Sequence, residues 1–329
     1  MRPPRFWQHD GPIPRLLQPA AWAYDAAGRL RRALARPHRA AIPVICVGNL
    51  TAGGSGKTPV ALALIALLQQ RGAEVHALTR GYGGRLKGPV RVDLARHSAL
   101  EVGDEALLLA ERAPTWVAAR RPAGAEAAIA EGAQIIVMDD GFQNPHLHKD
   151  LSLLVIDGRG GLGNGRVHPA GPLREAPARA WPRADGLILT GPVEPAVARG
   201  LPAALPRVQA RMMPDIEAQA LRGRAVVAFA GIGRPEKFFL TLRETGAELL
   251  ATQAFPDHHV YRGEEVMAMV ERAVSLNALP VTTAKDAMRL PPEARGMVTV
   301  LRADMEFSDP AIVEDWLDRV WPRDGSRQR

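Results

Sequence analysis

Apolar residues in this chain fall into short dense runs separated by stretches with helical rhythm. Ile42-Pro43-Val44-Ile45-Cys46-Val47, Gln134-Ile135-Ile136-Val137-Met138 and Leu151 to Ile156 read as strands covered on both faces. Further strands are predicted over 74–79, 115–117 and 186–190, with Val90-Arg91-Val92 as a returning one. Residues 58–71, 103–112 and 123–131 carry helical spacing between them. Strands alternating with helices predict an α/β fold built on a doubly wound, mainly parallel sheet.

A Pro- and Ala-rich stretch, Pro192 to Pro214, then interrupts the pattern. Beyond it the alternation restarts, with strands over 225–230, 248–252, around Val281 and over 297–301, and helices over 236–244 and 264–275. The expected organisation is an N-terminal amphipathic segment (1–40), a first α/β domain (41–214) and a second, smaller α/β domain (215–329). The polar residues 322–329 are expected to fray.

Within the first segment, Leu16, Ala20, Tyr24, Ala27, Leu30 and Leu34 recur at helix spacing over 16–36. Trp22 and Tyr24 add amphipathic rings, and Arg29, Arg31, Arg32, Arg36 and Arg39 gather at the far end; Arg2, Arg5 and Arg15 precede them, against Asp10 and Asp25. Such a helix suits an anionic membrane surface. It equally suits packing on the protein's own core, with the arginines complementing the helix dipole.

Composition narrows the field modestly. The formal net charge is +7, from 42 Lys and Arg against 35 Asp and Glu. That balance suits nucleic acid, anionic lipid or a phosphorylated substrate, but no nucleic-acid-binding module is recognisable. No run approaches the roughly 18 apolar residues of a spanning helix. Arg15, Gln18, Pro19 and Asp25 interrupt any secretory signal, so a cytoplasmic location is expected. The single cysteine, Cys46, lies in an apolar strand and reads as a core residue.

The chemistry starts at Thr51-Ala52-Gly53-Gly54-Ser55-Gly56-Lys57-Thr58, between a strand and a helix. Strand, glycine-rich loop, Lys-Thr and helix in that order define a phosphate-binding loop and predict a P-loop-containing NTPase fold, although Thr51 stands where the common pattern has Gly. Backbone N–H groups and the helix N-terminus would cradle phosphates, Lys57 would reach the terminal ones, and the Thr58 hydroxyl would ligate Mg²⁺. ATP and Mg²⁺ are the implied cofactors. Asp139 and Asp140 end a downstream apolar strand, where a second Mg²⁺-holding acid belongs; a helix or turn cap is the alternative.

Asp104, in Val102-Gly103-Asp104-Glu105, fits an N-cap or a proton acceptor for a substrate hydroxyl. Gln143, Asn164, Arg174, Glu175 and Lys285 are candidate substrate contacts in polar or glycine-rich loops. Arg80 to Pro89 reads as a basic, glycine-rich hairpin, either a mobile lid or a plain surface turn. His258 and His259 follow Asp257; with no further His or Cys at ligand spacing, His258 reads as an acid–base or orienting partner rather than a metal ligand.

These motifs, in order, resemble the tetraacyldisaccharide 4′-kinase family: Val47 to Pro59, Arg80-Gly81-Tyr82-Gly83, Val102 to Glu105, Asp139-Asp140-Gly141-Phe142-Gln143, Gly163-Asn164-Gly165, Gly171-Pro172-Leu173-Arg174-Glu175, Phe255-Pro256-Asp257-His258 and Thr282-Thr283-Ala284-Lys285-Asp286. The resemblance implies transfer of the γ-phosphoryl of ATP to the 4′-hydroxyl of a tetraacylated glucosamine disaccharide 1-phosphate, a lipid A precursor, at the cytoplasmic face of the bacterial inner membrane. It implies that an N-terminal helix engages the bilayer, that Asp104 is linked to the general base and that His258 supports it. Thr51 is the family's own form of the loop, whereas Ala284 stands where the family often has Glu. Other readings of the loop are a different small-molecule kinase or ligase, or a nucleotide-driven switch that hydrolyses ATP without an acceptor.

Overall fold

The structure, a computed structural model, describes residues 4–323. Arg2 and residues 324–329 of the polar tail lie outside them.

Thirteen strands form two sheets among the described residues. They are β1 (Val44–Gly48), β2 (Val75–Thr79), β3 (Val90–Arg91), β4 (Thr115–Val117), β5 (Ile135–Asp139), β6 (Leu151–Asp157), β7 (Gly186–Thr190), β8 (Arg207–Pro214), β9 (Ala225–Ala230), β10 (Glu248–Ala254), β11 (Leu279–Thr283), β12 (Thr299–Leu301) and β13 (Ala303–Phe307). The larger sheet runs β13-β8-β7-β6-β1-β5-β2-β4-β3, and the smaller β10-β9-β11-β12. From β8 to β4 the large sheet is parallel, with β3 and β13 as antiparallel edges. The small sheet is wholly parallel.

Every residue of β1 is buried, and its side chains alternate between two cores. Ile45 and Val47 join Leu64, Ile65 and Leu68 of the helix Lys57–Gln70 on one face. Val44 and Cys46 join Ala125 and Ala128 of the helix Arg121–Ala130 on the other. A near-continuous apolar strand is therefore what the two helical layers require. Because β1 lies between β5 and β6, the loop after it opens at a switch point of strand order, where ligands bind in doubly wound sheets.

Two segments differ from the sequence reading. Residues 207–214, inside the Pro- and Ala-rich stretch, form β8: Val208 and Ala210 point into the first core, and flanking prolines hide the alternation. Residues 303–318, grouped by sequence with the second unit, return to the first sheet. There β13 pairs with β8, and the helix Pro310–Asp318 packs Val313, Trp316 and Leu317 into the first core. Trp316 is fully buried against Gly186 of β7. Trp316→Ala should therefore cost about 3–5 kcal/mol. A urea melt indistinguishable from that of the unaltered chain would contradict this packing.

Residues 80–92 do not project as a free hairpin. Arg85 and Leu86 donate backbone bonds to the carbonyls of Leu100 and Glu101, so the segment lies along the turn before Asp104.

Candidate active site

The phosphate loop leaves β1 at Gly48 and enters its helix at Lys57. Gly56 precedes the helix with φ +86°, a conformation costly for other residues, and offers no side-chain cap. The helix N-terminus therefore keeps its N–H groups free for an anion. Asn49 holds the inside of the loop, donating from Nδ2 to the Thr51 carbonyl at 2.7 Å and the Ser55 hydroxyl at 3.0 Å. Thr51 bridges to Leu173, and Ala52 N–H donates to the Pro172 carbonyl, so the loop leans on the segment 171–175. Gly53 and Gly54 lie exposed at its tip.

Beside it, the Thr58 hydroxyl donates to Asp139 Oδ2 at 2.8 Å. Asp139 Oδ1 is buried without a partner. Burial, with the Glu105 charge nearby, pushes the Asp139 carboxyl up, against the pull of Lys57. A buried carboxylate with an unclaimed oxygen next to a threonine hydroxyl is the donor set a Mg²⁺ ion takes, completed by phosphates and waters. Asp140 is held differently. Burial raises its pKa, but Lys57 and Arg174 outweigh that and bring it below the ordinary value. Lys57 Nζ lies 3.8 Å and Arg174 2.8 Å from Asp140 Oδ1. Asp140 also sits at φ +54°, a left-handed conformation imposed where the strand ends.

A second constellation centres on Asp104, buried at the start of the helix Asp104–Ala110. The residue at the helix cap is Gly103, at φ +88° and pressed against the Tyr82 carbonyl, so Asp104 is not the N-cap. His258 Nδ1 lies 3.0 Å from Asp104 Oδ2, Arg289 Nε 3.3 Å and Lys285 Nζ 3.9 Å. Burial raises the Asp104 pKa, but the His258 hydrogen bond and the Lys285, His258 and Arg289 charges outweigh it and hold it below the ordinary carboxylate value. Asp104 is therefore ionised at neutral pH, as a proton acceptor must be. Lys285 also reaches Glu105 at 3.2 Å; burial lowers its pKa, but the surrounding carboxylates raise it above its usual value.

His258 stands at φ +58°, so two of the three described non-glycine residues with positive φ flank this site. His259 turns away, stacking on Phe255 and pairing with Glu265 at 3.0 Å. The adjacent histidines thus do not converge on one ion.

The second unit bridges to the first on another side of the loop. Arg234 contacts Asp157 at 2.6 Å and the Gly54 carbonyl at 3.2 Å, and Lys237 contacts Asp157 at 3.2 Å. Arg289 and this Asp157 cluster escaped the sequence reading. Arg289 was findable, one helical turn beyond Lys285, but nothing local marks Asp157 as the partner of Arg234.

The candidate substrate contacts separate. Gln143 and Arg174 lie beside Asp140, with Arg174 3.5 Å from Gln143 Oε1. Glu175 is buried behind them, and Lys285 is at the Asp104 site. Asn164 is elsewhere: its side chain is bonded to the backbone of Phe6, His9, Ala170 and Arg166, tying down the N-terminal segment.

Fold and site together define a P-loop phosphotransferase, with an Asp–His pair supplied across two α/β units. Residues 13–321 match the model of the tetraacyldisaccharide-1-P 4′-kinase family, and the chain belongs to that family. A tetraacyldisaccharide 4′-kinase of Rhodospirillum centenum is 52% identical over 326 residues, covering 97% of this chain and 96% of that protein. One from Parvibaculum lavamentivorans is 55% identical over 302 residues, 88% of this chain and 87% of that protein. The solved structure of Aquifex aeolicus LpxK in complex with ATP is similar with a TM-score of 0.77 at 27% identity, covering 94% of this chain and all of that one.

Proposed function

We propose that this protein is an ATP-dependent lipid kinase that phosphorylates the 4′-hydroxyl of a tetraacylated glucosamine disaccharide 1-phosphate. The observation that carries the reading is the pairing of an open phosphate loop with a separate, ionised Asp104 held by His258 from the second unit. A site with its own proton acceptor is built for an acceptor alcohol rather than for a hydrolytic switch.

The loop amides and Lys57 hold the β- and γ-phosphates of ATP. Thr58, Asp139 and Asp140 would hold Mg²⁺, which would supply neutralising charge to the phosphates. The sugar oxygen attacks the γ-phosphorus, the bond to the β–γ bridging oxygen breaks, ADP leaves, and the hydroxyl proton passes to Asp104. His258 orients Asp104, and Lys285 with Arg289 keeps it ionised. Transfer of radiolabelled γ-phosphate from ATP into a disaccharide 1-phosphate lipid in detergent micelles, resolved by thin-layer chromatography, tests this. ATP hydrolysis that proceeds equally without the lipid, and no labelled lipid, would reject it.

The acceptor is a lipid, and the N-terminal helix Gln18–Leu34 supports work at a membrane surface, here placed at the cytoplasmic face of the inner membrane where ATP is supplied. Its inner face is small and polar: Ala21 is buried, and Asp25 and Arg32 are mostly covered. Its outer face is apolar, with Trp22, Leu30 and Leu34 exposed to 64%, 60% and 74%. That is the reverse of a helix packed on a core. Among the described residues no helix is long and apolar enough to cross a membrane. The arginines divide: Arg29 pairs with Asp25 and Arg39 with Asp150, while Arg32 turns inward and Arg31, itself exposed, reaches the Gln143 carbonyl. The leucines are therefore the sharper probe. Leu30→Asp/Leu34→Asp should lower flotation with anionic liposomes by about a hundredfold, since each buried leucine contributes roughly 1.5–3 kcal/mol. It should raise KM for micellar lipid more than for ATP. Unchanged flotation would remove the membrane role of this face.

A further inference from the structure

The guanidinium groups of Arg31 and Arg32 both find partners on the first unit. Arg32 NH1 lies 3.4 Å from Glu175 Oε2, and Arg31 NH2 donates to the Gln143 carbonyl at 3.1 Å. Glu175 has a side chain only 1% exposed and also takes Arg183, whose guanidinium stacks over Phe142. Its other oxygen accepts from Gln143 Nε2 at 3.3 Å. The same Nε2 donates to the Asn49 carbonyl at 2.9 Å, at the root of the phosphate loop. Gln143 Oε1 faces Arg174, and Arg174 holds Asp140. A continuous polar chain thus runs from the N-terminal helix to the carboxylate beside Lys57. A second tie, Asp25 to Arg179, seats the same helix on the segment that carries Glu175 and Arg183.

We propose that the N-terminal helix is part of the phosphate site's scaffold as well as its lipid-facing surface. In this scaffold Arg32 is a positioning residue that fixes Glu175 and Gln143, through which Arg174 orients Asp140. The physical reason lies in Glu175. A carboxylate this buried is costly unless cations and hydrogen-bond donors are placed around it. Remove Arg32 and Glu175 loses one of its two charged partners, Gln143 loses a fixed acceptor, and Arg174 is free to leave Asp140 for Glu175. Movement of the helix on a lipid surface would then be felt at the metal site. The inference rests on the assignment of Asp140 to the Mg²⁺–nucleotide site.

Calorimetric titration of the full-length protein with Mg·ADP, without lipid, tests it. Arg32→Gln should weaken binding by about tenfold or more, the scale seen when residues supporting metal ligands are lost, and should raise the Mg²⁺ concentration needed for half-maximal rate. Flotation with anionic liposomes and KM for micellar lipid should stay at the unaltered value, the opposite of the outer-face leucine variant. Arg32→Lys, which keeps the charge but replaces the planar guanidinium, should fall between. It carries the test if Arg32→Gln melts below the titration temperature. Unaltered Mg·ADP affinity in a folded Arg32 variant overturns the proposal. Failure of the unaltered protein to bind Mg·ADP would instead overturn the site assignment beneath it.

Discussion

Lys57→Ala is expected to abolish phosphoryl transfer, with turnover down by at least about a hundredfold to a thousandfold at saturating ATP and Mg²⁺, the scale for loss of one preorganised charge on a transferring group. Lys57 is the first residue of a helix whose N-terminus carries no cap, and its side chain is 11% exposed. Its ammonium lies 3.8 Å from Asp140, so it is drawn toward a carboxylate proposed to hold Mg²⁺. The substitution also leaves Asp140 to Arg174 alone, which removes a charge from the site without disturbing the core. Melting temperature should therefore change little while the rate collapses. Thr58→Ala, which leaves both oxygens of Asp139 without a hydroxyl donor, should act in the same direction but less. Initial rates of labelled-phosphate transfer decide the matter, and near-normal transfer by the Lys57 variant would sink the nucleotide-site assignment.

What sequence could reveal of this site followed from distance along the chain. The phosphate loop is legible because its strand, glycines, Lys-Thr and helix are consecutive. Asp139 and Asp140 are legible because an apolar strand announces its own end. The parallel sheet likewise follows from local rhythm, and its solved relative has the same fold. Long-range pairings left no such trace. Nothing around Trp316 says that it fills the space over Gly186, so the return of β13 and its helix to the first sheet could not be read. Glu175 shows the same limit at the site. A glutamate after a glycine-proline loop reads as an exposed contact, and only the fold reveals that it is buried behind Gln143 and held by arginines 143 residues before it and 8 after. The helical pattern of the N-terminal segment was clear, but a helix on a membrane surface and one packed on the protein's own core fit it equally. What the pattern could not give is three-dimensional: its aspartate and Arg32 face the protein, and its leucines face out.

Asp104→Asn is expected to lower kcat by about a hundredfold or more, the usual scale for losing a positioned proton acceptor, while affinity for Mg·ADP stays near the unaltered value. The competing role is structural. Asp104 shares in neutralising Arg289, which is almost fully buried, and Lys285, so its removal leaves Arg289 to Asp286 and Lys285 to Glu105 at the junction of the two units. Breaking a buried pair that leaves its partner uncompensated typically costs about 3–5 kcal/mol, and the remaining carboxylates place this loss below that scale. Rate and stability must therefore be measured on the same preparations. The pH dependence of stability separates the two further. Because the folded pKa of Asp104 lies below its unfolded value, its stabilising contribution is present above that unfolded value and is lost as pH falls through the folded one. The stability gap between the unaltered protein and Asp104→Asn should accordingly close only in acid, below about pH 4, whereas the rate gap should persist at neutral pH wherever both are folded. His258→Ala should reproduce part of the rate loss with less destabilisation, since it leaves Asp104 paired with Arg289. An Asp104→Asn variant that melts early but turns over normally per folded molecule would reject the proton-acceptor role and leave Asp104 as the charge that fastens the second unit to the first.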